Sequence, residues 1–221
     1  KELVFQNGEK PLHEYLAQNA REHPHDVGYI FYGNEITWKK LNDDVNRLAS
    51  FLQKNKIKKG DAVALFMQNC PQYIIGHYAI QKLGGIVVPL NPMYKESELT
   101  YFFNEVEIKA VIAGQELYPR LKNVKEDMKS VDVVITTNYA DYLPAKHEQT
   151  LPLPTELQQE KQVIDETYDL IDILATENPL EEAVKLNLWD DVGLLVFTSG
   201  TTGRPKAAML TYGNALFKTA T

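Results

Sequence analysis

Five short apolar runs, at residues 62–67, 86–90, 110–113, 131–137 and 193–197, recur along this chain, most of them separated by stretches with helical spacing. Near-continuous apolar runs of this length read as strands buried on both faces, and strand-helix-strand order implies a parallel sheet. The expected fold class is therefore α/β, with largely parallel sheets covered by helices on both faces. Leu41, Val45, Leu48 and Leu52 fall on one helical stripe, which leaves Asp43, Asp44, Asn46 and Arg47 for solvent. Residues 71–83 form a mainly apolar helix with Pro71 in its first turn. Leu99, Phe102, Phe103 and Val106 repeat the same periodicity, and a further helix is expected over 116–129. Nearer the start, apolar residues at 27–32 and 35–38 flank Gly33-Asn34, a pair that tolerates positive φ and so predicts a hairpin turn. The pattern weakens over 139–166, which reads as a surface excursion.

A chain of 221 residues can bury a substantial core without disulfide or metal staples. Its net charge of -7 and its lack of a Lys/Arg stripe argue against nucleic acid as a partner. A phosphorylated small molecule is compatible with that charge, because exposed charges beyond about 8 Å are largely screened at physiological salt. Cys70 is the sole cysteine, so no internal disulfide is possible, and its place just before Pro71 favours packing over reactivity. No segment reaches the roughly 18 uncharged apolar residues of a membrane span, and residues 1–10 hold no signal-peptide core. A cytoplasmic protein is expected.

The last apolar run feeds FTSGTTGRPKAAM, residues 197–209. A bend at the carboxyl end of a parallel strand is where open α/β sheets hold ligands. Gly200 and Gly203 permit positive φ, so successive backbone amides can turn toward one anion, while Thr198, Ser199, Thr201 and Thr202 add hydroxyl donors. Lys206 brings a cation, and each charge-assisted bond to phosphate contributes about 1.5 to 3 kcal/mol. The spacing is not that of a Walker A loop: two residues separate the glycines, Pro205 precedes the lysine, and 207–210 continues as a short strand. Residues 211–221 close with a short helix for which Thr211 is a candidate N-cap. Other candidates carry less. His23 and His25 lack any ligand spacing for a metal, His77 lies in an apolar helix and reads as a satisfied core histidine, Asp43-Asp44 reads as a solvated face, and Phe102-Phe103 is core by spacing.

The string FTSGTTGRPKAAML resembles the phosphate-loop signature of the adenylate-forming superfamily of acyl-CoA synthetases, luciferases and amino-acid adenylation domains. ITWKKLNDDVNRLASFLQ, KKGDAVALFMQNCPQYIIGHYAIQKLGGIVVPLNPMY and ESELTYFF are similar to the first part of an acyl-CoA synthetase. Ala207 departs from the glycine and Tyr212 from the histidine that this family commonly carries.

The resemblance implies that residues 1–221 are the N-terminal portion of an adenylation domain, with the remaining half and the lid domain outside this chain. The implied function is an ATP-dependent carboxylic acid:CoA ligase, with a fatty acid as first choice, acting through an acyl-adenylate. The alternatives are an amino-acid or aryl-acid adenylation domain, or a non-catalytic nucleotide-binding relic of the fold. ATP, Mg²⁺ and coenzyme A are the implied cofactor and co-substrates, and a homo-oligomer is allowed. Thr198, Ser199, Gly200, Thr201, Thr202, Gly203 and Lys206 would hold the departing pyrophosphate, Lys206 as the catalytic cation and Thr201 or Thr202 as metal ligand. The piece alone is expected to be inactive.

Overall fold

A computed structural model describes residues 4–5, 7–145, 151–198 and 205–219. Strand β3 (Ala62–Phe66), buried along its whole length, anchors a sheet that extends to both sides of it. To one side lie β4 (Ile86–Leu90), β8 (Val192–Thr198) and β9 (Lys206–Thr211). To the other lie β5 (Ile108–Gly114), β6 (Val133–Thr137) and the short β7 (Tyr168–Asp169). Strands β3 to β8 run parallel in register, and only β9 turns back antiparallel along β8. A separate antiparallel ribbon, β1 (Val27–Phe31) with β2 (Asn34–Thr37), precedes the sheet in the chain.

Side chains alternate across each strand, so the two faces build two separate cores. Val63, Leu65, Val87, Ala110, Ile112, Val133 and Ile135 meet α1 (Leu12–Glu22), α2 (Trp38–Lys54), α3 (Pro71–Lys82) and α6 (Leu170–Thr176). Ala62, Ala64, Phe66, Val88, Leu90 and Val111 meet α4 (Glu96–Glu105) and the turn of α5 (Tyr118–Asn123) on the other face. The connection leaving β3 thus crosses to one face and that leaving β4 to the opposite face. The carboxyl ends of β3 and β5, whose connections also leave to opposite faces, part where the strand order reverses, the place where open α/β sheets form a crevice.

The helix caps follow from local chemistry. Pro71 opens α3, Thr37 accepts from the Lys40 amide at the start of α2, and Asp169 accepts from the Ile171 amide at the start of α6. Helix α7 (Tyr212–Thr219) starts with a reciprocal pair in which the Asn214 amide donates to Thr211 Oγ1 and the Thr211 amide to Asn214 Oδ1. The expected N-cap is in place.

Four sequence expectations need correction. The hairpin turn falls on Tyr32-Gly33, both at positive φ, because Asn34 already pairs with Phe31 and its side chain donates to the Tyr142 carbonyl. That register buries Phe31 and Ile36. Asp44 does not face water: it is buried, paired with Lys40 at 2.6 Å, and accepts from the Tyr142 hydroxyl at 2.6 Å. The single helix expected over 116–129 is broken into the short α5 between two 3₁₀ turns, at Gln115–Leu117 and Lys125–Asp127. His77 lies on the apolar helix as read, yet its Nδ1 has no hydrogen-bond partner, so it is not a satisfied core histidine. Cys70 is buried and its thiol is pushed up to about 12, mainly by desolvation, as suits a packing role. Within 139–166, Tyr139, Tyr142 and Leu157 are buried. No helix among the described residues is long and apolar enough to cross a membrane.

Candidate phosphate-binding site

The carboxyl end of β8 sits beside that of β4. Thr198, the last residue of β8, is the register partner of Lys206, the first of β9. Residues directly opposite in an antiparallel pair project to the same side, so this hydroxyl and this ammonium share a face of the hairpin. Thr198 Oγ1 donates to the Lys206 carbonyl at 3.2 Å, and both side chains are exposed. Ser199, Gly200, Thr201, Thr202, Gly203 and Arg204 lie outside the described residues, in the connection between these two ends.

The neighbouring exit from β4 is a fixed turn. The Met93 amide donates to Asn91 Oδ1 and the Tyr94 amide to the Asn91 carbonyl, both at 2.9 Å. Arg120, from α5, donates from Nη1 to the carbonyls of Pro92 at 2.6 Å and Tyr94 at 3.0 Å. A guanidinium across two carbonyls fixes the path of this loop through charge-assisted bonds. Nothing in the local sequence around Arg120 announces that role, because its partners lie 26 and 28 positions away.

Two strands from β4, the carboxyl edge holds a buried polar group. Tyr139 donates to Glu116 Oε1 at 2.7 Å and accepts from the Gln68 amide at 3.0 Å. Burial raises the Glu116 carboxyl above its ordinary range, and the Tyr139 hydroxyl is raised too, by burial and then by the Glu116 charge. Gly114 is required there, since an added Cβ would strike the Tyr139 hydroxyl. Sequence reasoning missed this group; a Tyr two residues past a strand end was its only sign.

Tyr212 lies at the far end of the hairpin. Thr211 pairs with Val192 at the amino end of β8, six residues or about 20 Å along the strand from Thr198. Its ring packs against Gly193, where a Cβ would come within 2.9 Å, and its hydroxyl donates to the Gly85 carbonyl at 2.6 Å. Tyr212 thus packs against the amino end of β8 and ties α7 to the start of β4. Ala207 lies exposed on β9 opposite Phe197, where the extended backbone accepts a methyl side chain.

The AMP-binding enzyme family model matches residues 16–221. A long-chain-fatty-acid–CoA ligase of Bacillus subtilis is 34% identical over 214 residues, which cover 95% of this chain and 38% of that protein. Among solved structures, an anthranilate CoA ligase in complex with anthranoyl-AMP superposes with a TM-score of 0.77 at 17% identity, over 96% of this chain and 36% of that one. A long-chain-fatty-acid-CoA ligase from Archaeoglobus fulgidus gives 0.71 at 24%, over 95% and 38%. The chain spans less than two fifths of the length of each of these relatives.

Proposed function

Because the chain belongs to the AMP-binding enzyme family, we propose that it carries the pyrophosphate-holding part of an ATP-dependent carboxylic acid:CoA ligase. The observation that carries this reading is the hairpin of β8 and β9: a threonine and a lysine on one face, joined by the Ser-Gly-Thr-Thr-Gly-Arg segment. Its amides and hydroxyls suit an anion, and an exposed ammonium beside them suits a polyphosphate tail. A fatty acid is the favoured substrate class, supported by the 34% identity to the Bacillus subtilis ligase. A cytoplasmic location is part of the same reading and is supported by the single, buried thiol.

The chemistry requires such a site. A carboxylate resists thiol attack because its charge is delocalised and oxide is a poor leaving group. Attack of the carboxylate oxygen on the α-phosphorus of ATP forms the acyl-phosphate bond and breaks the α-β bridge, so pyrophosphate leaves with that electron pair. The thiol of coenzyme A then attacks the acyl carbon, loses its proton and expels AMP. Two feasible displacements replace one difficult step. Thr198, Ser199, Gly200, Thr201, Thr202, Gly203 and Lys206 would orient the β and γ phosphates in line for departure, with Lys206 balancing the charge that builds on them. Mg²⁺ fits this donor set, since the hydroxyls of Thr201 and Thr202 are hard oxygens that can join phosphate oxygens around it; when bound it would supply charge neutralisation. No cluster of three His, Cys, Asp or Glu among the described residues offers a competing site.

Acid-stimulated exchange between ATP and pyrophosphate, run on the full-length protein against aliphatic, aryl and amino acids, tests the reading. Exchange is expected with aliphatic acids; exchange with amino or aryl acids alone would move the protein to another branch, and none with any acid would support a non-catalytic relic. Lys206→Ala is expected to slow adenylate formation by about two orders of magnitude. Transfer from preformed acyl-adenylate should change far less, and equal losses in both half-reactions would remove pyrophosphate holding from Lys206.

A further inference from the structure

Helix α4 touches Phe197, one residue before the end of β8, and Pro205, one residue before the start of β9. On the outgoing side, the fully buried Phe102 stacks against Phe197 with ring centroids 4.0 Å apart, and Tyr94 from the β4 exit turn packs on the same Phe102 ring at 4.8 Å. On the returning side, the adjacent Tyr101 donates its hydroxyl to the Pro205 carbonyl at 2.8 Å. The two contacts differ in kind: one is packing in the core, the other a directional bond to the backbone.

A trans peptide is planar, with its carbonyl and the following amide pointing in opposite directions. Holding the Pro205 carbonyl therefore fixes the orientation of the Lys206 N–H as well, and with it the direction in which the Lys206 side chain leaves the strand. Pro205 has no N–H of its own, so the peptide before it offers no donor, and the Tyr101 bond acts on the peptide after it. The proline fixes φ; ψ and the plane are left to whatever holds the carbonyl.

We propose that Tyr101 is a positioning residue for polyphosphate binding, acting through the Pro205 carbonyl on the orientation of Lys206; this rests on the phosphate-holding reading of the hairpin. It deepens that reading by assigning to α4, a helix with no residue in the loop motif, control over the aim of the motif's cation. Tyr101→Phe isolates the effect, since it keeps the ring and removes only the donor, and the half-buried carbonyl can turn to water.

The test uses the full-length protein and inorganic pyrophosphate, titrated calorimetrically with wild type and Tyr101→Phe, alongside thermal melting and amide hydrogen exchange. Tyr101→Phe is expected to weaken pyrophosphate affinity about three- to ten-fold, the scale of one net hydrogen bond. It should accelerate exchange of the Lys206 amide while leaving β3 and β5 amides and the melting temperature unchanged. If wild type binds no pyrophosphate, the phosphate-holding reading fails and takes this inference with it. If wild type binds and Tyr101→Phe matches it in affinity and in Lys206 exchange, the inference alone fails. A variant that loses protection uniformly across the sheet, with a lowered melting temperature, assigns Tyr101 to fold stability and also overturns the positioning role.

Discussion

Burial of His13 on α1 leaves both ring nitrogens without hydrogen-bond partners. Its pKa is lowered from 6.5 to about 4, first by desolvation and then by the nearby Lys82 charge. His77 on α3 is lowered to about 4 by desolvation. Both imidazoles therefore fold neutral. Between about pH 4 and 6.5 the unfolded chain binds more protons than the folded one, so stability declines as pH falls through that window and levels off below it. For His13 the full loss is on the order of 3 kcal/mol. Urea titrations at pH 7 and 4.5 should show the decline, and His13→Leu should reduce it to the share due to His77; an unchanged decline in that variant would mean that His13 is solvated. The sequence marked His77 as a core residue, and His13 was passed over although Leu16, Ala17 and Ala20 follow it at i+3, i+4 and i+7 on one helical face. Asp44 was misread for a different reason. Its place on the polar side of a helical stripe was correct, but Tyr142, 98 positions later, returns to cover it.

Among the elements, the parallel strands and their helices were legible because their cause is local: a run of apolar residues buries on both faces, and Pro, Gly or Asn stops it. β4 matches the expected 86–90 at both ends, and α3 matches to within one residue. The 116–129 segment was not legible, since Pro119 and two short 3₁₀ turns divide it where helical spacing reads as continuous. β9 presents an element-scale hazard. Its residues Lys206 to Met209 are exposed, Met209 at 70%, and among the described residues its outer edge pairs with no strand. Such an edge, with one charge in six residues, invites pairing with another chain. Light scattering of the isolated chain should show concentration-dependent association that Met209→Lys suppresses; persistence of association in that variant would direct attention elsewhere.

For the molecule as a whole, these 221 residues span 38% of the length of the Bacillus subtilis ligase. The isolated chain is expected to form no thioester from fatty acid, ATP and coenzyme A, and detection of acyl-CoA above background by mass spectrometry would contradict this. Periodicity and punctuation by themselves determined the α/β class, the parallel order and most strand positions, because these follow from burial of apolar runs and from backbone preferences acting over a few residues. The FTSGTTGRPK string marked the candidate site for the same reason, its glycines and hydroxyls being adjacent in the chain. Only the tertiary structure decided that β8 returns to lie beside β4, that Arg120 and Tyr101 hold carbonyls at the β4 exit and the hairpin return, and that Tyr212 packs at the distant end of the hairpin. Those arrangements join residues from 26 to 127 positions apart. Their partners are backbone carbonyls, which every residue carries, so no side-chain pattern in the sequence singles them out.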